Sequence, residues 1–129
     1  MAVFGTWVLN ASRSNLGVPA PPSQLLVFRA FGAGGFFGVE DTTYADGTHT
    51  LIQFALKADG RGYPVNGAAA ILTQADTVSL TMVDAQTLKW TYKKGPAVVL
   101  VVVGALAPDG LTLTLTTGDN RSLVYEKAS

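Results

Sequence analysis

Thr77-Val78-Ser79-Leu80-Thr81-Met82, the break Asp84-Ala85-Gln86, then Thr87-Leu88-Lys89-Trp90-Thr91-Tyr92-Lys93: on both sides of the break every second residue is apolar. Period two is the repeat of an extended strand, whose successive side chains point to opposite faces. Each run therefore has a dry face and a wet face, and so short a break joins them only as an antiparallel hairpin.

The same pattern extends outward. Leu111, Leu113 and Leu115 alternate with Thr112, Thr114 and Thr116, and Ile52, Phe54 and Leu56 alternate with Gln53, Ala55 and Lys57. Segments near residues 5–10, 24–30, 36–43, 98–106 and 122–127 are rich in β-branched or aromatic residues. Turn signals separate the runs at Ala45-Asp46-Gly47, Ala58-Asp59-Gly60, Lys94-Gly95-Pro96, Pro108-Asp109-Gly110 and Gly118-Asp119-Asn120. No segment has the length and spacing of a crossover helix; the single helical stretch is the alanine-rich Ala68 to Gln74. Residues Ala11 to Ser23, with Pro19, Pro21 and Pro22, read as an irregular loop that excludes a stable helix. The expectation is an all-β domain spanning residues 1–129, an antiparallel up-and-down β-barrel of roughly eight to ten strands.

Composition excludes several functions. Nine Lys plus Arg against nine Asp plus Glu leave no net charge, so neither nucleic acid nor an anionic membrane is an expected partner. Without cysteine there is no disulfide, thiolate nucleophile or zinc-thiolate site, and a single histidine, His49, excludes a multi-histidine metal site. No Ser-His-Asp order, phosphate loop or dinucleotide fingerprint occurs, so no cofactor is expected. The longest apolar run, Pro96 to Ala107, falls short of the ~20 residues of a membrane-spanning helix. The first residues lack a secretory signal, so the expected compartment is the cytoplasm, or the periplasm or exterior if a signal has been removed.

Gly5-Thr6-Trp7, followed by Val8-Leu9-Asn10, resembles the Gly-x-Trp start of lipocalin-like and fatty-acid-binding barrels. Gly62-Tyr63-Pro64-Val65-Asn66-Gly67, Ala75-Asp76-Thr77-Val78-Ser79-Leu80, Thr91-Tyr92-Lys93-Lys94-Gly95, Asp109-Gly110-Leu111-Thr112-Leu113-Thr114 and Val124-Tyr125-Glu126-Lys127 together resemble small bacterial lipocalin-like (calycin-type) domains, from Gly5 to Lys127. The resemblance implies a barrel with Trp7 packed across its closed end. It speaks to fold more than to activity. The chain departs from the pattern at Val98 to Ala105, where such domains carry polar or basic residues. No arginine stands there to hold a carboxylate head group, which weighs against a fatty-acid ligand. The prolines between Val18 and Ser23 replace the helical lid of fatty-acid-binding barrels.

In a closed barrel, alternation places Trp7, Leu26, Phe28, Ile52, Phe54, Leu56, Leu88, Trp90, Tyr92, Leu113 and one face of the valine strand, taken as Val101 and Val103, inside. All of these except Trp7 are the expected ligand contacts. A narrow barrel fills its interior with such side chains, and a wider one leaves a ligand cavity. Trp90 and Tyr92 each carry a polar group that either orients a ligand oxygen or bonds to a neighbouring strand or water. Glu40 shares a face with Phe36, Gly38 and Thr42, and Asp41 with Phe37 and Val39, so a regular strand sends one carboxylate inward while a bulge leaves both in water. The related domains favour an apolar residue at the Glu40 position. A carboxyl group in an apolar cavity has its pKa raised and suits acid–base work near neutrality. Tyr44 and Tyr63 are candidate donors at the barrel mouth, His49 reads as a surface residue, and Arg29 and Lys57 as solvated charges.

The leading expectation is binding of a small hydrophobic molecule in the interior. A cofactor-independent cyclase or isomerase using Glu40 with Tyr92 or Tyr44 is the alternative, and a fully packed barrel serving as an interaction module the third. Apolar side chains on both faces of 98–106, with Leu25 and Val27 on the wet face of 24–30, lead to the expectation of a homodimer.

Overall fold

The structure, a computed structural model, describes residues 1–17, 19–67 and 75–128. The helical stretch expected at Ala68 to Gln74 lies outside the described residues. Among the described residues ten strands form: β1 (Gly5–Leu9), β2 (Ser23–Phe31), β3 (Gly35–Thr43), β4 (His49–Lys57), β5 (Tyr63–Gly67), β6 (Thr77–Asp84), β7 (Thr87–Lys94), β8 (Ala97–Leu106), β9 (Thr112–Thr117) and β10 (Ser122–Lys127). Each pairs antiparallel with the next, and β10 returns to β1, so the sheet closes into an up-and-down barrel. Closure gives every strand a neighbour on both sides, most briefly between β5 and β6, where only Tyr63 with Val78 and Pro64 with Thr77 are paired. Among the described residues no helix is long and apolar enough to cross a membrane.

The turn chemistry is repetitive. Asp46, Asp59, Asp84 and Asp109 each accept, through Oδ1, the backbone N–H two residues on, at 2.9, 3.0, 2.8 and 2.9 Å. A short side-chain acceptor stands in for a backbone carbonyl and fixes the reversal locally.

Residues Ala11–Arg13 make one 3-10 turn, in which Asn10 Oδ1 accepts from Arg13 N (3.3 Å). The following residues are strapped across β10: Asn15 N donates to Ser122 O (2.7 Å), Ser122 N to Asn15 O (2.9 Å) and Val124 N to Ser14 Oγ (2.9 Å). The proline-containing loop is thereby anchored over one end of the barrel.

Register decides which side chains face inward. Trp90 pairs with Val102 and Tyr92 with Leu100, while Lys89 and Thr91 pair with Val103 and Val101. Directly paired residues share a face, so Leu100 and Val102 point inward. Val101 and Val103 stand on the outer wall, correcting the expectation that they meet a ligand. A strand that is apolar at every position carries no alternation from which its inner face can be read. On β3, pairing runs without a break from Gly35 to Thr43 on both sides. Hence there is no bulge: Glu40 faces inward and Asp41 outward.

The interior has two halves. At one end Val3, Trp7, Phe36, Leu56, Leu88, Leu106 and Leu113 are buried in a dense core. Trp7 lies there as expected, its Nε1 donating to Val3 O (2.9 Å) with Lys127 Nζ 5.7 Å from its ring centre. Above this core lies an aromatic layer in which Phe36 meets Phe28 (5.2 Å between ring centres) and Phe54 (6.2 Å), and Phe28 stacks on Trp90 (5.8 Å). Glycines give these rings room. A Cβ on Gly38 would sit 2.5 Å from Phe54 Cζ, and one on Gly104 2.8 Å from Trp90 Cζ3.

Candidate functional site

Above the aromatic layer the barrel is hollow. The cavity measures about 600 Å³, within the ~300–1,000 Å³ of small-molecule sites. Leu26, Phe28, Ile52, Phe54, Trp90 and Tyr92 line it, together with Leu100, Val102, Leu115 and Leu123. Leu16, Pro19, Ala20 and Pro21 of the strapped loop form part of its wall at the mouth, next to Tyr44 and Ala45. Leu56, Leu88 and Leu113 are not among the lining residues; they belong to the packed end, at 3%, 2% and 0% exposure. They face inward as alternation requires, but one layer too deep to meet a ligand.

A polar cluster sits on the otherwise apolar wall. Gln24 Nε2 donates to Glu40 Oε1 (2.8 Å) and to Thr42 Oγ1 (3.0 Å), and the Tyr125 hydroxyl donates to Gln24 Oε1. Gln24 shares the inward phase of Leu26 and Phe28, and Tyr125 that of Leu123. Among the described residues, Glu40 has no hydrogen-bond partner other than Gln24, which engages Oε1 and leaves Oε2 unengaged. Desolvation lifts the Glu40 carboxyl from 4.5 to about 7. Burial, and secondarily the charge of Glu40, hold the Tyr92 and Tyr125 phenols well above their ordinary value, so both stay protonated. The Tyr92 hydroxyl has no hydrogen-bond partner among the described residues, and Tyr92 lines the cavity. Trp90 turns its ring to the cavity while its Nε1 is buried without a hydrogen-bond partner among the described residues.

The other candidates lie elsewhere. His49 Nε2 pairs with Asp41 Oδ1 on the outer wall, away from Glu40. Tyr63 donates to Asp59 Oδ2 (2.8 Å) beside the β4–β5 turn, at the packed end, which removes it from the mouth. Arg121, unremarked in the sequence, is the one Lys or Arg among the described lining residues. It is already paired: its Nε lies 2.9 Å from Asp119 Oδ2. A hydrogen bond from Thr117, then Arg121, lowers the Asp119 pKa. Among the described residues no cluster of three metal-ligating side chains occurs.

No family model matches the chain, and no curated protein matches it by sequence. Among solved structures, the Schistosoma mansoni fatty acid binding protein in complex with arachidonic acid aligns over 99% of this chain and 97% of its own, with TM-score 0.62 and 15% identity. Echinococcus granulosus fatty-acid-binding protein 1 aligns over 99% and 98%, with TM-score 0.62 and 14% identity. A mutant of the fluorescent protein UnaG aligns over 97% and 95%, with TM-score 0.63 and 16% identity. At these identities the likeness is one of fold alone, a closed antiparallel up-and-down barrel along nearly the whole chain.

Proposed function

We propose that the chain binds a small hydrophobic molecule in the hollow half of the barrel. The observation that carries this reading is the cavity of about 600 Å³ behind a largely apolar, aromatic wall. Burial of apolar ligand surface drives association at such sites, and a few fixed polar groups orient the ligand. Tyr92 and the Gln24–Glu40 pair are those groups here. The fold neighbours support the reading, since the Schistosoma mansoni protein is in complex with arachidonic acid. Native mass spectrometry of protein purified without added ligand, followed by denaturing extraction, is the test. An apolar compound released on unfolding supports the reading. An empty protein that also fails to bind apolar fluorescent probes overturns it.

A second reading is favoured by the inward placement of Glu40. A carboxyl group poised near neutrality, beside protonated Tyr92 and with Tyr44 at the mouth, is the equipment of a cofactor-independent cyclase or isomerase acting by orientation and proton transfer. Its test is deuterium uptake from solvent into apolar carbonyl or alkene substrates, expected to vanish in Glu40→Gln. The cavity itself weighs against a fully packed interaction module.

The ordered blocks from Gly5 to Lys127 further support membership of the small bacterial lipocalin-like domains. For partners we propose a second copy of the chain. Val8 pairs with Leu25 and Val27 with Val39 on the outer face of β1 to β3, and Val98, Val99 and Val8 are exposed, so apolar side chains face outward on both walls, interrupted on β3 by Asp41 with its partner His49. A monomeric mass by light scattering at micromolar concentration would overturn the dimer.

A further inference from the structure

The interior offers an acid without a base. Glu40 Oε1 is engaged by Gln24, its second oxygen has no partner among the described residues, and Arg121, the lining cation, is engaged by Asp119 at the rim. Buried carboxylates in proteins are paired with a cation, hydrogen-bonded or protonated, because leaving the charge uncompensated in an apolar medium is costly. The remaining wall faces of Phe28, Trp90, Tyr92 and Tyr44 are aromatic. Aromatic faces attract cations and are indifferent or unfavourable to anions. A carboxylate head group placed beside Glu40 would face like charge with no free cation to offset it.

We propose that the ligand is an apolar molecule carrying a protonated amine, whose ammonium group hydrogen-bonds to Glu40 Oε2 while its hydrocarbon part fills the cavity down to the aromatic layer. This rests on the binding function proposed above and names the ligand class for the same cavity.

The groups facing Glu40 leave one titration between pH 6 and pH 8. Tyr92 from β7, Tyr125 from β10 and Gln24 from β2 carry no charge in that range, Tyr44 at the β3–β4 turn is a phenol, and Arg121 is engaged by Asp119. An alkylamine, like a lysine side chain, stays protonated there too. Glu40 itself titrates near 7, and His49 sits outside the barrel on Asp41.

The experiment is calorimetric titration of the full chain with dodecylamine, dodecanol and dodecanoate at about pH 6 and about pH 8, on either side of the Glu40 value. The expected result at the higher pH is dodecylamine binding about tenfold more tightly than dodecanol, with dodecanoate weakest, a preference equivalent to about 1.4 kcal/mol. Dodecylamine affinity should fall as the pH is lowered, and both the preference and its pH slope should disappear in Glu40→Gln. Dodecanoate binding as tightly as dodecylamine, or an amine preference that survives in Glu40→Gln, overturns the inference while leaving hydrophobic binding intact. Failure of all three probes, with failure of a neutral fluorescent probe, overturns both. Should Glu40→Gln not fold, the pH slope of the native chain decides: a flat profile for dodecylamine overturns the inference.

Discussion

The two ends of this barrel are built from the same strands and the same alternation, yet one is solid and the other hollow. At the solid end Trp7, Phe36 and Leu113 are completely covered, and a core of that density loses contacts whenever an atom is removed. At the hollow end Ile52, Leu100, Val102, Leu115 and Leu123 keep one side against protein and the other against the cavity. Packing is thus concentrated at one end and open volume at the other, with the aromatic layer of Phe28, Phe54 and Trp90 as the partition.

The largest test of that division is Trp7→Ala, which should destabilise by about 3–5 kcal/mol in urea unfolding, the cost of a large buried aromatic. A loss below about 1 kcal/mol would mean that the packed end is not where stability resides. Next comes the titration of Glu40. The unfolded chain releases this proton near 4.5 while the folded chain holds it to about 7. Between those values the folded state binds more protons, so stability is highest below the lower value, falls as pH rises through the window, and is lower by up to about 3 kcal/mol above it. Glu40→Gln should flatten this fall in unfolding measured across that pH range, at the hollow end alone.

Gly38→Ala attacks the partition. With Phe54 Cζ 2.5 Å from the added Cβ, the ring must shift, and overpacking of this kind costs about 1–3 kcal/mol. Thermal unfolding reads the cost, and probe binding reads the displaced floor. The smallest effect on stability is expected for Leu123→Ala, below about 1 kcal/mol because the side chain already borders open space, while affinity for an apolar probe drops severalfold. Equal stability losses for Leu113→Ala and Leu123→Ala would abolish the contrast between the ends.

Period two made the fold legible. The hairpin around Asp84-Ala85-Gln86 and the Asp-Gly turns are local chemistry, and the barrel follows once no segment can form a crossover. The same period made Leu26, Phe28, Ile52, Phe54, Trp90 and Tyr92 readable as inward side chains. Parity tells face but not depth, which is why Leu56, Leu88 and Leu113 pass the same criterion and still lie in the core. Parity also fails where both faces are apolar, as in the valine strand, where the inward pair is Leu100 and Val102. Gln24 was within reach, since its phase is that of Leu26 and Phe28, but a polar residue in an inward phase reads as a strand end unless its partners are known. Those partners, Glu40, Thr42 and Tyr125, come from distant strands and meet only when the barrel closes.

Gly38 and Gly104 place the floor of the pocket under the control of two hydrogen atoms. Neither glycine lines the pocket, and a methyl group at either would press first on the ring it faces, Phe54 or Trp90, rather than on Glu40, Gln24 or Tyr92. On the proposed binding function, ligand length and head-group chemistry would be set at separate positions. A barrel of this kind would then change the size of its cargo by single-codon steps and keep the same polar contacts.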